Sequence, residues 1–329
     1  MNDDNLITDL GSAPLPLRKP SWLRMKRQGG EDYNDVKRLL RTSSLNTVCE
    51  SANCPNRGEC FSSRTATFML LGEVCTRHCT FCNIPGGKVT PVDPDEPRRV
   101  AEAVAELALK FAVVTSVNRD DQPDGGAAHF ASTIRQIRRR NPGCGIEVLI
   151  PDFMGDPLAL EKVLEAAPEV LNHNLETVPR LYTAMRPQAD YLRSLQVLRR
   201  SRQWADSFGA DGFGANLRVK TGIMVGVGET REEVVQLMQD AVDHGVQIMT
   251  IGQYLQPTAK HHPVLRYVEP AEFDEYARLG RELGIEWVES GPMVRSSYHA
   301  REQSEALATV VQEVVQEAQQ PPSGRAEAG

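Results

Sequence analysis

Two closely spaced cysteine triplets place the strongest constraint on this chain, because six of its seven cysteines fall within one short window. The first triplet has the spacing C-x4-C-x5-C and the second has C-x3-C-x2-C. Their members are Cys49, Cys54 and Cys60 in the first triplet, and Cys75, Cys79 and Cys82 in the second. Soft thiolate ligands select zinc, copper(I) or an iron–sulfur cluster. Structural zinc takes four protein ligands, whereas three cysteines leave one corner of a cubane cluster open, and we expect the chemistry there.

Composition and charge exclude several classes of protein. The chain has 329 residues, of which 40% are hydrophobic and 25% are charged, so it can form one large α/β domain or two ordinary domains. It shows no apolar run as long as the roughly 18 residues of a membrane span, and no secretory leader or transit peptide. These features predict a cytoplasmic protein with reduced thiols and no membrane association. The formal charge of −7 argues against nucleic acid as the main partner.

Apolar, β-rich segments alternate with amphipathic helical segments beyond residue 64. Strands are predicted at residues 65–71, 112–117, 146–150, 170–173, 219–225 and 246–251. A capping box at Thr230 and Glu233 opens one of the intervening helices. This alternation implies parallel strands with right-handed crossovers, either as a doubly wound sheet or as a whole or partial barrel. In both architectures the active site lies at the carboxyl edge of the strands, where the second triplet follows the first predicted strand.

Zinc is the competing interpretation of the second triplet. Cys79 and Cys82 alone have the spacing of half a zinc knuckle, but no second close pair of cysteines or histidines stands at zinc-finger spacing. His261 and His262 are adjacent, and adjacent residues of an extended chain point apart. A zinc-stabilised interaction module without catalysis is therefore the less favoured alternative.

The C-x3-C-x2-C spacing resembles the signature of the radical S-adenosylmethionine (SAM) superfamily, and Phe81 matches the aromatic residue common before the last cysteine. The resemblance implies that Cys75, Cys79 and Cys82 are catalytic residues that hold a 4Fe–4S cluster. It also implies that SAM binds the fourth iron and that Phe81 packs near its adenine. By the same analogy we expect an α/β fold with a partial (β/α)6 TIM-like barrel.

This architecture predicts three parts of the chain. An N-terminal extension of irregular structure, residues 1–64, carries the first triplet, and the barrel covers residues 65–290. A C-terminal segment, residues 291–329, carries an Arg-Ser-Ser-Tyr motif and ends in a polar tail from Gln319. The composition of that tail predicts disorder.

Motifs spread over most of the chain narrow the resemblance to the lipoyl synthases. They lie at residues 19–24, 49–56, 115–121, 173–177, 252–257 and 291–300. The resemblance implies that Cys49, Cys54 and Cys60 bind an auxiliary 4Fe–4S cluster, which serves as the sulfur source. It implies that Ser297 is both the fourth ligand and a catalytic residue. An alkoxide is hard and poorly matched to such a cluster, so it should leave more readily than a thiolate.

The activity implied is the insertion of two sulfur atoms, at carbons 6 and 8, into an octanoyl chain linked to a lysine of a carrier protein. The implied carriers are the lipoyl domains of 2-oxoacid dehydrogenases and the H protein of glycine cleavage, with a flavodoxin or ferredoxin as electron donor. Another radical SAM enzyme with an auxiliary cluster, such as a methylthiotransferase, is the nearer alternative.

Polar residues taken to leave the fourth and fifth predicted strands are the candidate contacts to SAM. Asn174 and Glu176 offer an amide and a carboxylate, which suit the ribose hydroxyls. Arg218 and Lys220 offer a cation, which suits the methionyl carboxylate. Cys144 stands in a turn-forming context and is predicted to take no part.

Overall fold

The sheet at the centre of the protein contains eight strands, which neighbour one another in chain order. The computed structural model describes residues 17–24, 29–208, 216–300 and 302–303. The strands are β1 (Asn46–Thr47), β2 (Thr67–Leu70), β3 (Phe111–Ser116), β4 (Gly145–Leu149), β5 (Val170–Asn172), β6 (Arg218–Val225), β7 (Ile248–Gln253) and β8 (Trp287–Gly291). The first strand pairs antiparallel with β2, and every later neighbour pairs in parallel.

Helices connect the strands and cover the sheet. They are α1 (Glu31–Thr42), α2 (Val48–Ser51), α3 (Arg57–Ser62), α4 (Glu96–Glu106), α5 (Ala127–Arg140), α6 (Pro157–Leu164), α7 (Tyr182–Met185), α8 (Tyr191–Asp206), α9 (Arg231–Asp243) and α10 (Pro270–Glu282). Short 3-10 helices cover Phe153–Gly155 and Pro179–Leu181. Among the described residues, every helix is too short or too polar to cross a membrane.

The strand order confirms the partial barrel. A doubly wound sheet reverses its strand order at a switch point, whereas β2 to β8 follow one another without reversal. In the described part of the chain β8 pairs only with β7, so the sheet stays open. All six predicted strands are confirmed, with ends shifted by no more than two residues. The proposed division of the chain after residues 64 and 290 stays a prediction.

Local sequence explains several of these elements. The strands β2 and β7 are buried along their whole length, as expected for parallel strands covered on both faces. The predicted capping box opens α9: Thr230 Oγ1 accepts from Glu233 N at 3.2 Å, and Glu233 Oε2 accepts from Thr230 N at 2.8 Å. These bonds satisfy backbone donors that the first turn of a helix leaves open.

The expectation of irregular structure over residues 1–64 is wrong, because α1, β1, α2 and α3 all lie there. The helix α1 buries Val36, Leu39 and Leu40 on one face, and Phe61 of α3 lies in the same core. With four and six residues, α2 and α3 are too short to show a helical period, so tertiary contacts must stabilise them. The predicted disorder from Gln319 falls outside the described residues.

Candidate functional site

A cavity of about 550 Å³ opens at the carboxyl edge of the parallel strands, within the usual size range of ligand sites. Both cysteine triplets line it, although they stand on different structural elements. Ten of the residues singled out in the sequence line this one cavity: Cys49, Cys54, Cys60, Cys75, Cys79, Phe81, Cys82, Asn174, Glu176 and Ser297. All six cysteines are free thiols.

The first triplet is positioned by α2 and α3. Thr47 caps α2 by accepting a 3.3 Å hydrogen bond from Glu50 N, which sets Cys49 on this short helix. Cys60 stands on α3, and Cys54 N bonds Cys49 O at 3.1 Å in the connection. Burial raises the pKa of Cys49 and of Cys60 to about 12, and the neighbouring Cys54 adds to both shifts. The three thiols are therefore mutual neighbours in a dry site, where thiolates need a compensating positive charge such as a metal.

The second triplet lies in a loop that follows β2 and folds back on itself. Cys75 N bonds Pro85 O at 2.9 Å, and Gly87 N bonds Cys75 O at 3.4 Å. The Cys75 sulfur accepts from the backbone N–H groups of Arg77 and Asn118, at 3.4 and 3.3 Å. Such donors favour a sulfur that carries negative charge.

The thiols of the second triplet form their own group. Burial raises the pKa of Cys82 to about 12, and it also raises the pKa of Cys79. The neighbouring Cys75 adds to both shifts. The cavity thus contains two separate groups of three thiols.

A segment that we call the C-terminal strap, residues 293–300, borders the cavity after β8. Asn56, from the loop of the first triplet, donates to Met293 O at 2.8 Å. On β7, Gly252 lies so close to the strap that a Cβ at this position would collide with Val294 O. The strap is therefore held against both the first triplet and the sheet.

Ser297 lies on this strap, beside the first triplet. Thr67, the first residue of β2, donates a 2.9 Å hydrogen bond from its hydroxyl to Ser297 Oγ. Hydrogen bonds from Thr67 also lower the pKa of Cys49, against the larger effect of burial. One threonine therefore contacts both the serine and a cysteine of the first triplet.

Asn174 and Glu176 follow β5 and lie side by side in the cavity. Asn174 Nδ2 donates to Glu176 Oε1 at 3.1 Å. Burial raises the pKa of Glu176, and the charge of Arg186 opposes the shift. Glu176 has a φ of 66°, which is uncommon outside glycine and is typical of functional positions.

The placement expected for Arg218 is wrong. It is the first residue of β6, so it stands at the amino edge of the sheet, at the opposite end of the strand from the cavity. There it borders a surface pocket with Arg202 and Gln247. Sequence analysis took Arg218 to leave this strand, although it precedes the predicted strand at residues 219–225 and so stands at its amino end.

Lys220 also stands away from the cavity wall. Its side chain is fully buried in β6, where Nζ donates to Glu147 Oε2 at 3.0 Å and to Gln303 Oε1 at 2.8 Å. Glu147 lines the cavity, whereas Lys220 does not. The lysine therefore neutralises a buried carboxylate, and it is a structural cation in this arrangement.

Arg186 is a cavity residue that sequence reasoning missed. It lies just after α7, and its Nη1 donates to the backbone carbonyls of Asn174 and Leu175 at 3.0 and 3.3 Å. Its Nε is buried and has no hydrogen-bond partner among the described residues. The Arg186 charge also lowers the pKa of Cys79 against the larger effect of burial. No sequence signal marks this arginine, because only the fold brings α7 to the second triplet.

Arg77 was missed although it stands between Cys75 and Cys79. Its guanidinium donates to both Asp120 oxygens at 2.7 and 2.9 Å and to Asp152 Oδ1 at 2.6 Å. Burial alone would raise the pKa of Asp152, but Arg77 outweighs it and holds that pKa at about 2. These ion pairs tie the second-triplet loop to the ends of β3 and β4. The sequence did contain one signal, which is the position of this arginine between two candidate ligands.

The donor set fits iron–sulfur clusters. Across the described ranges, no three histidine, cysteine, aspartate or glutamate side chains are grouped as a single metal ion requires. In an iron–sulfur cluster, by contrast, each cysteine binds a different iron. The ring nitrogens His261 Nε2 and His262 Nε2 face the backbone carbonyls of Cys82 and Val227 at 3.1 and 3.0 Å, which gives no support to a zinc site. Cys144, just before β4, does not line the cavity.

Comparisons with known proteins agree with this geometry. A family model described as the radical SAM superfamily matches residues 69–241. Proteins described as lipoyl synthase from Rubrobacter xylanophilus, Koribacter versatilis and Roseiflexus sp. are 54%, 55% and 55% identical to this chain. The alignments cover 87%, 88% and 90% of this chain, and 87%, 92% and 96% of the relatives.

Solved structures show the same fold at low sequence identity. HydG, a maturase of the FeFe hydrogenase, gives a TM-score of 0.50 at 15% identity, over 78% of this chain and 68% of HydG. SuiB of Streptococcus suis bound to its precursor peptide SuiA gives a TM-score of 0.50 at 11% identity, over 78% of this chain and 60% of SuiB.

Proposed function

Because this chain belongs to the lipoyl synthase family of radical SAM enzymes, we propose that it inserts sulfur at carbons 6 and 8 of an octanoyl chain bound to a carrier-protein lysine. As a member of that family it is a sulfur-inserting enzyme that uses 4Fe–4S clusters and SAM. One observation carries the assignment of residues: both cysteine triplets and Ser297 line a single cavity.

Within that cavity, each triplet receives one cluster. Cys75, Cys79 and Cys82 hold the cluster that binds SAM. The auxiliary cluster is held by Cys49, Cys54, Cys60 and Ser297. When bound, the first cluster and SAM supply a radical that removes hydrogen, and the auxiliary cluster supplies sulfur. The hydroxyl of Ser297 suits a ligand that must leave, since it is harder than a thiol.

The SAM cradle is formed by the residues around Glu176. Its carboxylate suits the ribose hydroxyls, and the buried Oδ1 of Asn174 is an acceptor without a partner in the described structure. The cation for the methionyl carboxylate comes from Arg186 instead of Arg218 or Lys220. Arg186 is close enough to both Cys79 and Glu176 for its charge to lower their pKa values. Phe81 lines the same cavity and offers an aromatic face to the adenine.

The substrate chain is held by apolar side chains of the same cavity. These side chains come from β2, β3 and β4 and from the residues that follow them: Met69, Val113, Val117, Leu149 and Ile150. Burying a methylene contributes about 0.8 kcal/mol, so an eight-carbon chain gains substantial binding from such a wall. The wall also excludes water, which protects the reactive centre.

The enzyme acts on lipoyl carrier proteins, as its family does. We propose the lipoyl domains of 2-oxoacid dehydrogenases and the H protein of glycine cleavage as carriers, and a reduced flavodoxin or ferredoxin as electron donor. The free thiols suit the reducing cytoplasm, where we propose that the enzyme works. The relatives that match most of the chain give no support to methylthiotransferase activity.

An assay with an octanoyl-lysine peptide tests the proposal. The anaerobically reconstituted enzyme, a reductant and SAM should yield 5′-deoxyadenosine and lipoyl peptide, both measured by mass spectrometry. Cleavage of SAM with an unchanged peptide would show that the substrate is wrong.

Two cysteine variants test whether the triplets hold clusters with different functions. Cys54→Ala should keep SAM cleavage and stop sulfur insertion, because only the auxiliary set loses a ligand. Cys144→Ala should keep both activities, since Cys144 stands away from the cavity. Loss of both activities in a folded Cys54→Ala enzyme that retains its other cluster would contradict the assignment.

A further inference from the structure

The side chain of Asn174 joins the two halves of the cavity. Its Nδ2 donates one hydrogen bond to Glu176 Oε1 at 3.1 Å and a second to Ser296 Oγ at 2.7 Å. Glu176 belongs to the proposed SAM cradle, whereas Ser296 precedes Ser297 on the C-terminal strap. Both hydrogens of the amide are therefore used, one on each side.

The oxygen of the same carboxamide receives no hydrogen bond from the described residues. Asn174 is 7% exposed, and its buried Oδ1 has no hydrogen-bond partner in the part of the chain that the structure describes. A buried carbonyl without a donor is unfavourable, so this site favours a ligand that brings an O–H or N–H group. Gly222 leaves room for the carboxamide, because a Cβ there would lie 2.9 Å from Asn174 Oδ1 and 3.4 Å from Ser296 Oγ.

We propose that Asn174 couples the occupancy of the SAM cradle to the position of the C-terminal strap, through its hydrogen bond to Ser296. This inference rests on the proposed function, because it takes SAM as the ligand beside Glu176. A donor from SAM satisfies Asn174 Oδ1 and fixes the orientation of the carboxamide. Hydrogen bonds in such a chain strengthen one another, so the bond to Ser296 then holds the strap more firmly. Asn174 is thus a positioning residue for Ser297.

Three further contacts of the strap bypass the SAM cradle. They join Met293 to Asn56, Ser297 to Thr67 and Tyr298 to Gln303. Removal of the Ser296 hydroxyl therefore uncouples the strap from the cradle without detaching it. Coupling of this kind is reciprocal. SAM lowers the equilibrium constant for strap opening by a factor equal to the ratio of its affinities for the closed and the open strap. A single hydrogen bond of about 1 kcal/mol corresponds to about fivefold.

Hydrogen–deuterium exchange of the strap amides tests the coupling. The unreduced holoenzyme is used, because it binds SAM without consuming it. In the native chain, saturating SAM should slow the exchange of residues 294–300 about fivefold. In Ser296→Ala the slowing should fall below about 1.5-fold, while equilibrium dialysis gives a SAM Kd raised by about fivefold, the same factor that reciprocity requires. Ser296→Thr, which keeps the hydroxyl, should restore the slowing.

Gln303→Met is the matched control. It removes the 2.9 Å hydrogen bond to Tyr298 O, and also the 2.8 Å bond that Lys220 donates to Gln303 Oε1, and so loosens the strap. It leaves Ser296 untouched, so SAM should still slow the exchange. Full slowing in Ser296→Ala, or its loss in Gln303→Met, overturns the coupling. SAM binding to the native enzyme without any slowing also overturns it, but leaves the proposed function intact. A native holoenzyme that does not bind SAM overturns both.

Discussion

The hydroxyl of Thr67 donates a 2.9 Å hydrogen bond to Ser297 Oγ, and so joins the first residue of β2 to a serine 230 positions later. Thr67 is 5% exposed and also bonds Cys49. The backbone N–H of Thr67 has the larger hydrogen-bond effect on Cys49, so the single hydroxyl proton can serve Ser297 while Cys49 keeps a donor. The threonine is therefore placed to act on the serine and on a thiol of the first triplet.

Thr67→Val removes this donor and nearly preserves the shape of the side chain. We expect sulfur insertion to fall about tenfold, because the loss of one hydrogen bond to a charged group costs about 1.5 kcal/mol. Cleavage of SAM should stay within about twofold of the native rate, since Thr67 stands on the side of the first triplet. The ratio of lipoyl peptide to 5′-deoxyadenosine measures the effect. The control is Thr133→Val, which loses a buried hydrogen bond to His129 O on α5 and should leave that ratio unchanged.

Glu176→Gln should weaken SAM binding about 10- to 100-fold, because charge-assisted hydrogen bonds contribute roughly 1.5 to 3 kcal/mol. Both products should fall together, since each radical event begins with SAM. Arg218→Gln is the matched control: it stands at the amino edge of the sheet and should leave the Kd unchanged. Equilibrium dialysis of the unreduced enzyme makes both measurements. An unchanged SAM Kd in Glu176→Gln would show that the Glu176 carboxylate does not bind SAM.

Gly252→Ala should displace the C-terminal strap, because the new methyl group collides with the backbone oxygen of Val294. Overpacking of this kind costs about 1 to 3 kcal/mol, and sulfur insertion should fall more than SAM cleavage. Gly291 pairs with Gly252 in the sheet, yet a Cβ there meets only the side-chain Val294 Cγ2, at 3.3 Å. Gly291→Ala should therefore be tolerated. Chemical denaturation and the peptide assay compare the two variants, and equal losses would show that the strap is not involved.

Lys220→Met should lower the free energy of unfolding by about 3 to 5 kcal/mol, because it leaves the buried carboxylate of Glu147 without a cation. Adding Glu147→Leu to the same chain should recover most of that loss, since a buried pair can often be replaced by apolar residues. As the control, Lys162→Met removes an exposed ion pair with Asp124 and should cost less than about 1 kcal/mol. Urea denaturation provides the measurement. A small effect of Lys220→Met would mean that water reaches Glu147.

The sequence predicts those features that depend on local pattern or on ligand chemistry. The spacing of the six cysteines indicated two separate sites, and the alternation of apolar segments located all six strands that lead into the barrel helices. The capping box at Thr230 formed as expected because it needs only its own four residues. Such features do not depend on distant parts of the chain.

Features that depend on tertiary contact were missed. The helices α2 and α3 carry too few residues for a period, and Arg186 reaches the second triplet only because the fold places α7 there. Arg218 was assigned to the wrong edge of the sheet, because it was taken to follow the predicted strand at residues 219–225, which it precedes. The bond between Asn174 and Ser296 spans 122 positions and has no local signal.

The hydrogen bond from Asn56 to Met293 spans 237 positions of the chain, and this separation has a consequence for biogenesis. During translation the first triplet leaves the ribosome well before the strap with Ser297, because Ser297 comes much later in the chain. Iron delivered to the nascent chain therefore meets three thiols without the serine. The ligand set that we propose for the auxiliary cluster, three thiols and one serine, can therefore be complete only after Ser297 has emerged, so its loading must wait for that point of synthesis.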